Sequence, residues 1–263
     1  MKRLAVLGHP VGHSRSPVMH EAAFEALGLA GDWSYEAIDV PPDGLEELVR
    51  GLPGRGFVGA NVTVPHKGAA LTLADTLSET AREIGAANTL SFGEDGVAAD
   101  NTDADGLLES LGRTPDGART LLLGAGGAAR AALWGLLREG AQVEVWNRTP
   151  LRSENLCLEL GGKPVEEPDA STYDLIVNST AAGLGDEDPF VSLPLEPGDF
   201  RDGQVIVDMV YGQRPSPLLA AARNAGAETV DGTEVLVRQG ARSFRIWTGL
   251  DAPLDAMRAA AAN

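Results

Sequence analysis

The sequence predicts an α/β protein, and three observations support this fold class. Short runs of valine, isoleucine and leucine alternate with helical patterns rich in alanine, leucine and glutamate along most of the chain. That alternation is typical of parallel strands joined by crossover helices. One strand pattern, Arg119–Leu123, leads directly into a glycine-rich turn and then into a helical pattern. With 263 residues, of which 43% are hydrophobic, the chain can also bury a sizeable core, in one large domain or in two of ordinary size.

The predicted elements follow one another at short spacing, as repeated strand and helix units do. The predicted strands are Leu4–Leu7, Tyr35–Val40, Gly56–Val64, Arg119–Leu123, Gln142–Trp146, Leu175–Asn178 and Val205–Met209. The predicted helices are Ser16–Leu27, Leu45–Arg50, Ala128–Arg138 and Pro217–Ala225. A turn-rich segment, Gly112–Gly117, precedes the strand that begins at Arg119, and we place a domain boundary close to it.

Charge and cysteine content argue against several classes of function. The formal net charge is -17 and the pI is near 4.5, which opposes a general binder of nucleic acids or anionic membranes, although a local basic site could still hold a small anion. Cys157 is the single cysteine, so neither an internal disulfide nor a cysteine metal cluster is expected. Apolar stretches are too short to span a bilayer, and Gly8 and Pro10 end the N-terminal apolar run too early for a signal peptide. We therefore predict a soluble, cytoplasmic protein.

The strongest functional signal is the turn that follows Leu123. Residues 124–129 read Gly-Ala-Gly-Gly-Ala-Ala, which matches the dinucleotide-binding pattern in its required place between a strand and a helix. Gly124 permits the tight turn, Gly126 lets the backbone approach a pyrophosphate, and Ala129 keeps helix and strand close. The N-terminus of the helix supplies amide donors to the anion. The alternative is an ordinary glycine-rich turn, but the flanking strand and helix favour a Rossmann-type site.

The end of the next predicted strand indicates NADP rather than NAD. An NAD site places a carboxylate there to bind the ribose, whereas Asn147, Arg148 and Thr149 follow the strand in this chain. Arg148 and Arg152 can offer bidentate contacts to a 2′-phosphate, and Thr149 adds a hydroxyl. The alternative is that both arginines are solvated residues in the first turn of a helix.

Two further strand ends are predicted to line the same cofactor site. Asn178–Gly183 follows one strand and Asp208–Tyr211 ends the next. Ligands of doubly wound folds lie at the carboxyl ends of the strands, which is where both segments are expected. For Asp208, a capping or turn role is an open alternative.

A lysine in the first part of the chain is a candidate for proton transfer. Lysine occurs only at Lys2, Lys67 and Lys163, and Lys67 closely follows the predicted strand Gly56–Val64. A lysine can release its proton where its surroundings lower its pKa, whereas an arginine stays protonated. The alternative is a solvated loop cation, which is the default for an isolated lysine.

Polar residues beside other apolar segments are candidate ligand contacts. Ser14 and Ser16 precede Pro17 and can direct two hydroxyls at one carboxylate, whereas the alternative makes Ser16 the N-cap of a helix that begins at Pro17. Asn88 and Asp103 offer donors and acceptors suited to a polyhydroxylated ligand, although each could be a turn residue.

Taken together, these motifs resemble those of the shikimate dehydrogenase family over nearly the whole chain. The matching segments are Gly8–Pro17, Asn61–Lys67, Gly85–Thr89, Asn101–Asp103, Gly124–Ala129, Asn147–Thr149 and Gln239–Ala241. The resemblance implies reversible NADPH-dependent reduction of 3-dehydroshikimate to shikimate, a step towards chorismate and the aromatic amino acids. It also implies two α/β domains around a cleft. Residues 1–103, completed by C-terminal helices at about 238–263, would bind substrate and carry the catalytic residues, and residues 104–237 would form the Rossmann domain for NADP.

The resemblance also assigns roles to individual residues of this chain. Ser14 and Ser16 would hold the substrate carboxylate with help from Tyr211. The ring hydroxyls would be surrounded by Asn61, Thr63, Asn88, Asp103 and Gln239. Lys67 and Asp103 would form the catalytic pair, in which Lys67 stabilises alkoxide charge and transfers the proton while Asp103 mainly orients Lys67 and the substrate. The implied cofactor contacts are Gly124, Ala125, Gly126, Gly127, Ala128, Ala129, Asn147, Arg148, Thr149, Arg152, Thr180, Met209 and Gly232.

Two rival functions stay open at this level. A quinate or quinate/shikimate dehydrogenase would differ in polyol preference and often in cofactor, but Arg148 opposes NAD use and the serine pair fits the shikimate-specific pattern. A non-catalytic metabolite sensor on the same fold would not require both Lys67 and Asp103. A metal site at His9 and His13 is not expected, because no third ligand is evident nearby. The predicted partner is a small-molecule substrate, without nucleic acid or membrane, and a homodimer is one option for the assembly.

Overall fold

The chain contains two compact units. The structure, a computed structural model, describes residues 1–185, 187–212 and 216–262. Unit one comprises Met1–Gly106 together with the described residues from Val237 onward, and unit two comprises Leu107–Leu236. Within the described ranges, no helix combines the length and the apolar character needed to cross a membrane.

Unit one is built on a sheet of six strands, flanked by helices. The strands are β1 (Lys2–Gly8), β2 (Trp33–Asp39), β3 (Phe57–Val62), β4 (Thr76–Leu77), β5 (Thr89–Gly93) and β6 (Gly96–Asp100). The helices are α1 (Ser16–Ala26), α2 (Leu45–Gly51), α3 (Lys67–Leu73), α4 (Glu79–Ile84), the start of α5 (Asp103–Leu111), most of α9 (Gly232–Thr248) and α10 (Leu254–Ala261). Short 3-10 turns cover Pro42–Gly44 and Pro53–Arg55.

The sheet of unit one is mixed, in the order β2-β1-β3-β5-β6-β4. Strand β1 is parallel to β2 and β3, whereas β5 is antiparallel to β3 and to β6. The sequence pattern predicted parallel sheets and missed β4, β5 and β6, because these short strands contain mainly alanine, glycine, serine and threonine. Their pairing depends on neighbouring strands rather than on intrinsic β propensity.

Unit two is a doubly wound parallel sheet with helices. Its strands are β7 (Arg119–Leu123), β8 (Gln142–Trp146), β9 (Lys163–Pro164), β10 (Leu175–Asn178), β11 (Val205–Asp208) and β12 (Glu228–Asp231). Its helices are the end of α5, α6 (Gly127–Arg138), α7 (Pro150–Leu160), α8 (Pro217–Asn224) and the start of α9, with 3-10 turns at Ala170–Thr172 and Pro189–Val191.

The strand order of unit two is β12-β11-β10-β7-β8-β9, with every pair parallel. Chain order therefore reverses between β7 and β10, and this is the position at which doubly wound folds bind ligands. The predicted α/β class and Rossmann-type sheet are confirmed. The predicted bounds of β7, β8 and β10 agree with the structure.

The third predicted strand, Gly56–Val64, was too long. Strand β3 ends at Val62, and the Thr63 N–H still donates to the Leu7 carbonyl oxygen at 2.8 Å. Pro65 then supplies no N–H to extend the ladder, and Val64 is exposed. The chain turns here and starts α3 at Lys67. The turn-rich segment Gly112–Gly117 follows α5, and the two units divide within that helix, between Gly106 and Leu107.

Helix α9 lies close to β3 and to α5, because a glycine of each of these elements faces it. A Cβ atom at Gly59 of β3 would lie 2.2 Å from Trp247 Nε1 and 2.7 Å from the Leu90 carbonyl oxygen. A Cβ atom at Gly106 would lie 2.8 Å from the Gln239 backbone nitrogen. The close approach lets Trp247 Nε1 donate to the Leu90 carbonyl oxygen at 3.0 Å.

A fully buried histidine lies in an aromatic layer between α1 and α9. The His20 ring stacks on Tyr35 with a centroid distance of 4.3 Å and an interplanar angle of 2°. Phe244 and Trp247 lie 6.2 Å and 5.9 Å away by the same measure. Within the described residues neither ring nitrogen has a hydrogen-bond partner. Burial lowers the pKa of His20 from 6.5 to about 3, so the ring is neutral in the folded protein.

Replacement of His20 by phenylalanine is expected to reduce the loss of stability in acid. Because the pKa of folded His20, about 3, lies below its ordinary value of 6.5, the unfolded chain binds a proton between these values that the folded protein does not. Folding stability therefore falls as the pH drops below 6.5. His20→Phe lacks this proton uptake. When the pH is lowered from about 7 to about 4.5, the free energy of unfolding should therefore fall by roughly 2–3 kcal/mol less in His20→Phe than in wild type.

Urea unfolding at the two pH values tests this expectation. Met19→Leu, an uncharged change at the neighbouring buried position of α1, serves as the control and should differ from wild type by the same amount at both pH values. A His20→Phe difference that does not change with pH would contradict the assignment.

A methyl group at Gly59 should destabilise the protein, because it would overlap Trp247 and the Leu90 carbonyl group. Gly59→Ala is expected to lower the free energy of unfolding by about 1–3 kcal/mol, the usual cost of overpacking a buried site. Gly93→Ala is the matched control in β5, since a Cβ there meets no atom within 4 Å. Equal urea midpoints for the two variants would show that α9 can move away without cost.

Candidate functional site

A buried ion pair joins two helix starts in unit one. Lys67 is the first residue of α3 and Asp103 is the first residue of α5. Lys67 Nζ donates to Asp103 Oδ2 at 2.6 Å, and the two side chains are 13% and 8% exposed. These values exclude a solvated loop cation, which was the alternative interpretation of Lys67. An ammonium and a carboxylate with so little water contact form a strong, directional interaction.

The position of Lys67 is not explained by the stability of its own helix. A cation at a helix N-terminus interacts unfavourably with the helix dipole. The preceding residue, His66, is buried, and its Nε2 lies 2.7 Å from the Val40 carbonyl oxygen; a carbonyl oxygen only accepts, so Nε2 carries the hydrogen. The Lys67 carbonyl oxygen accepts the Ala87 N–H at 2.9 Å, which brings the segment before β5 to the ion pair.

Asn88 connects the ion pair to α9. Its Nδ2 donates to Asp103 Oδ1 at 2.8 Å and to Gln239 Oε1 at 3.2 Å. Its Oδ1 accepts the Thr102 N–H at 2.8 Å. A backbone N–H only donates and a carboxylate only accepts, so these neighbours fix the orientation of the amide. Asn88 and Gln239 are both buried, and the predicted residues Lys67, Asn88, Asp103 and Gln239 are therefore brought together.

Asn61 of β3 belongs to the same buried network. Its Oδ1 accepts the Tyr35 hydroxyl at 2.8 Å. Its Nδ2 donates to the Asn88 carbonyl oxygen at 3.1 Å and to Ser243 Oγ at 2.9 Å. The predicted residue thus lies in the polar interior of unit one, with each side of its amide held by a neighbour.

The two serines of the first loop have hydroxyls that are not consumed by helix capping. Helix α1 begins at Ser16, its N-cap position is Arg15, and no side chain caps it. The alternative in which Ser16 is the N-cap is therefore wrong, because Pro17 does not start the helix. Ser14 Oγ accepts the Ser16 N–H at 3.3 Å, so the hydroxyl hydrogens of both serines stay available for an anion.

Thr63 and Tyr211 are the remaining predicted substrate residues. Thr63 is half-buried after β3, and its side chain makes no hydrogen bond to any described residue. Tyr211 follows β11 and belongs to unit two. The proposed help of Tyr211 in binding a carboxylate stays a prediction.

The glycine-rich turn of unit two has the geometry that phosphate binding needs. Gly124 has φ of +114°, and a Cβ there would lie 2.7 Å from Ser179 Oγ. Gly126 is the N-cap residue of the 12-residue helix α6, and a Cβ there would meet nothing within 4 Å. Open space in front of a helix N-terminus suits a pyrophosphate. Ala129 is fully buried, consistent with close packing of helix and strand.

The other predicted cofactor residues lie at the same edge of the parallel sheet. Strand by strand, they are Ala125, Gly127 and Ala128 after β7, Asn147, Arg148, Thr149 and Arg152 after β8, Thr180 after β10, Met209 after β11 and Gly232 after β12. A Cβ at Gly232 would lie 2.7 Å from each of the carbonyl oxygens of Asp208, Met209 and Val210, so no side chain fits there.

Arg148 and Arg152 are both exposed, and neither side chain forms an ion pair or a hydrogen bond with the described residues. The Arg152 N–H donates to the Thr149 carbonyl oxygen at 2.9 Å. Arg152 therefore lies in the first turn of α7, and Arg148 directly precedes the N-cap residue Thr149. Two unpaired guanidinium groups beside a strand end suit a phosphate monoester.

Asp208 has the turn role that was left open for it. Its Oδ1 accepts Asn178 Nδ2 at 2.9 Å and the Val210 N–H at 3.2 Å, and its Oδ2 accepts the Ser216 hydroxyl. Burial raises the pKa of Asp208, and the hydrogen bonds oppose that rise. Ser216 caps α8. Asp208 thus shapes the strand end, and its oxygen atoms are already engaged.

Several site residues escaped the sequence interpretation. Tyr35 and Ser243 contact Asn61 directly, yet neither lies in a motif with a chemical signature. For Ser243 a signal was present, because it follows Gln239 by one helical turn and so shares its helix face. As for metals, the described ranges contain no group of three histidine, cysteine, aspartate or glutamate residues that could hold an ion, and His9 Nδ1 instead lies 2.9 Å from Asp39 Oδ2.

Comparison with known families matches both ends of the chain. Residues 6–90 match the model of the shikimate dehydrogenase substrate binding domain. Residues 232–262 match the model of the shikimate 5'-dehydrogenase C-terminal domain.

Individual relatives match nearly the whole chain. The shikimate dehydrogenase (NADP(+)) of Anaeromyxobacter sp. (strain Fw109-5) is 47% identical over 98% of this chain and 94% of its own length. The enzyme of the same name from Methanothrix thermoacetophila is 44% identical over 99% of this chain and 96% of its own length. The crystal structure of shikimate 5-dehydrogenase from Thermus thermophilus in complex with NADP(H) and shikimate superposes with a TM-score of 0.90 at 41% identity, covering 99% of this chain and 98% of that one.

Proposed function

The chain belongs to the shikimate dehydrogenase family, and we propose that it catalyses the reversible NADPH-dependent reduction of 3-dehydroshikimate to shikimate. The family and the NADP dependence predicted from the motifs are confirmed by the names of its full-length relatives. The reaction is a step towards chorismate and the aromatic amino acids. The observation that carries the residue assignment is the buried Lys67–Asp103 pair held by Asn88.

Lys67 is the proposed proton donor and acceptor. NADPH, when bound, supplies the hydride, and reduction of the ketone then places negative charge on the carbonyl oxygen. An ammonium within hydrogen-bond reach stabilises that charge and transfers a proton to the oxygen, and the reverse transfer accompanies alcohol oxidation. Low water exposure at Lys67 strengthens this effect, because nearby solvent would otherwise screen the ammonium.

Asp103 is the proposed orienting partner. Its Oδ2 holds Lys67 Nζ and its Oδ1 accepts from Asn88, so the carboxylate fixes the direction from which the ammonium approaches the substrate. Asn61, Thr63 and Gln239 are proposed to contact the ring hydroxyls together with Asn88. Ser14 and Ser16, whose hydroxyl hydrogens are available, are proposed to hold the substrate carboxylate.

The carboxyl edge of the unit-two sheet fits NADP. Gly124 and Gly126 leave space for the pyrophosphate at the N-terminus of α6, and Arg148 and Arg152 with Thr149 are proposed to bind the 2′-phosphate. No carboxylate stands at Asn147–Thr149 to select the ribose hydroxyl of NAD.

The rival functions receive no support from the described residues. A metabolite sensor would have no use for an ammonium and a carboxylate buried against each other, since the pair costs desolvation energy. The NADP-linked names of the relatives do not favour a quinate dehydrogenase. A cytoplasmic location and a homodimer both stay predictions.

Replacement of Lys67 should abolish most turnover. For NADP-linked oxidation of shikimate we expect Lys67→Ala to lower kcat by about 10²–10⁴-fold, the usual contribution of general acid–base catalysis. Lys67→Arg keeps the charge but cannot release a proton, so it should be similarly slow. Absorbance at the nicotinamide band measures turnover, and equilibrium dialysis of shikimate checks binding separately.

Lys163→Ala, which removes an exposed lysine of unit two, is the control and should keep full activity. Normal turnover in Lys67→Ala would return Lys67 to a positioning role. A wild-type protein inactive with shikimate or quinate, and with NADP or NAD, would instead favour the sensor.

Loss of Arg148 should weaken NADP selectively. Removal of a charge-assisted contact to the 2′-phosphate is expected to raise KM for NADP by about 10–100-fold while leaving KM for NAD unchanged. Arg138→Ala is the control, because Arg138 is the last residue of α6, far along the helix from the glycine-rich turn, and stacks on Trp134. An equal rise for NAD and NADP would place Arg148 away from the 2′-phosphate.

A further inference from the structure

Three buried hydroxyls form a triangle beside the proposed substrate residues of unit one. Thr89 Oγ1 and Ser243 Oγ are 2.9 Å apart, Thr102 Oγ1 and Ser243 Oγ are 3.2 Å apart, and Thr89 Oγ1 and Thr102 Oγ1 are 3.4 Å apart. Their residues are 1%, 3% and 0% exposed for Thr89, Thr102 and Ser243. They come from β5, from the residue before α5 and from α9, so distant parts of the chain meet here.

The triangle lies between the two asparagine side chains of the site. Thr89 Oγ1 donates to Asn88 Oδ1 at 2.9 Å, and Asn61 Nδ2 donates to Ser243 Oγ at 2.9 Å. From these contacts we infer that Ser243 is a positioning residue, which keeps the Asn61 and Asn88 amides in the orientation that the reaction requires. The inference rests on the proposed function, in which both asparagines contact substrate.

The balance of donors and acceptors around Asn88 explains why one hydroxyl matters. Asn88 Oδ1 accepts the Thr102 N–H at 2.8 Å and the Thr89 hydroxyl at 2.9 Å, which occupies both of its lone pairs. The Thr102 hydroxyl hydrogen is then best placed on Ser243 Oγ. Without the Ser243 oxygen, the nearest acceptor for this hydrogen is Asn88 Oδ1 at 3.2 Å, followed by Thr89 Oγ1 at 3.4 Å.

The Ser243 hydroxyl also has an acceptor for its own hydrogen. The hydroxyl can donate to Thr89 Oγ1 at 2.9 Å or to the Gln239 carbonyl oxygen one turn earlier at 3.2 Å. Either choice leaves the two lone pairs of Oγ for Asn61 and Thr102. Deleting Ser243 Oγ therefore leaves two buried donors seeking a new acceptor. The Thr102 hydroxyl would turn to Asn88 Oδ1 and Asn61 Nδ2 to Thr89 Oγ1, at 3.2 Å each. Thr89 itself donates to Asn88 Oδ1, so both changes act on the Asn88 amide and would disturb its contact with Asp103.

The test is a double-mutant cycle of shikimate oxidation by the full-length protein. We expect Ser243→Ala to lower kcat/KM for shikimate by about tenfold, the effect of one lost buried hydrogen bond, with an unchanged KM for NADP. In an Asn88→Ala background, Ser243→Ala should cause a clearly smaller loss, because the part of its effect that passes through Asn88 is already gone. A structural weakening of the fold would not produce this dependence on Asn88.

Thr89→Val provides a second variant should Ser243→Ala fold poorly. It too should lower kcat/KM less in the Asn88→Ala background than in wild type. Thr120→Val is the control, since Thr120 is equally buried in unit two and its hydroxyl donates to the Ala118 carbonyl oxygen; it should leave kcat/KM unchanged. Full activity of Ser243→Ala, or an equal loss in both backgrounds, would overturn the inference while leaving the proposed function intact. An inactive wild type would overturn the proposed function itself.

Discussion

Removing the Lys67 ammonium and the Asp103 carboxylate from water costs several kcal/mol for each charge, and their attraction offsets this only when further hydrogen bonds satisfy the remaining atoms. Unit one is organised around that requirement. Asn88 donates to the second carboxylate oxygen. The His66 ring, bound to the Val40 carbonyl oxygen, and the Ala87 N–H, bound to the Lys67 carbonyl oxygen, hold the start of α3 that carries Lys67. Asn88 is in turn hydrogen-bonded to Gln239 of α9 and, through its carbonyl oxygen, to Asn61 of β3. Ser243 of α9 contacts Asn61 and Thr89 of β5, so the network extends across β3, β5 and α9.

Unit two meets a different constraint, because the donors proposed to bind the cofactor must not be used up by hydrogen bonds within the protein. The amides at the start of α6 suit a pyrophosphate, and the guanidinium groups of Arg148 and Arg152 suit a phosphate monoester. The strand ends around them are therefore shaped by self-contained contacts, such as the hydrogen bonds of Asp208 with Asn178 and Ser216. Where no room exists, as at Gly232, only glycine is compatible with the surrounding carbonyl groups.

The sequence predicts those parts of the fold and of the site whose residues are adjacent in the chain, and it fails for those that form by contacts between distant segments. Strand β7, its glycine turn and α6 are adjacent in the chain, so periodicity and turn chemistry were sufficient to place them. The same holds for Lys67 and the serines, whose motifs are contiguous. The hairpin of β5 and β6 was missed because its residues have weak intrinsic preferences. Tyr35 was missed because its contact with Asn61 joins two strands that are separated in the chain, which no short pattern encodes. For Ser243, the one-turn spacing from Gln239 was a signal that the motif analysis did not use.

The chain order of unit one has a consequence for synthesis on the ribosome. The segment that carries Gln239, Ser243 and Trp247 is made after all of unit two, although its partners Asn61, Thr89 and Thr102 are made before it. Until α9 emerges, those buried polar groups lack their Ser243 contact and the sheet face near Gly59 lacks its cover. The half of the protein that begins translation must therefore complete its folding last, after the inserted half has had time to fold as a domain.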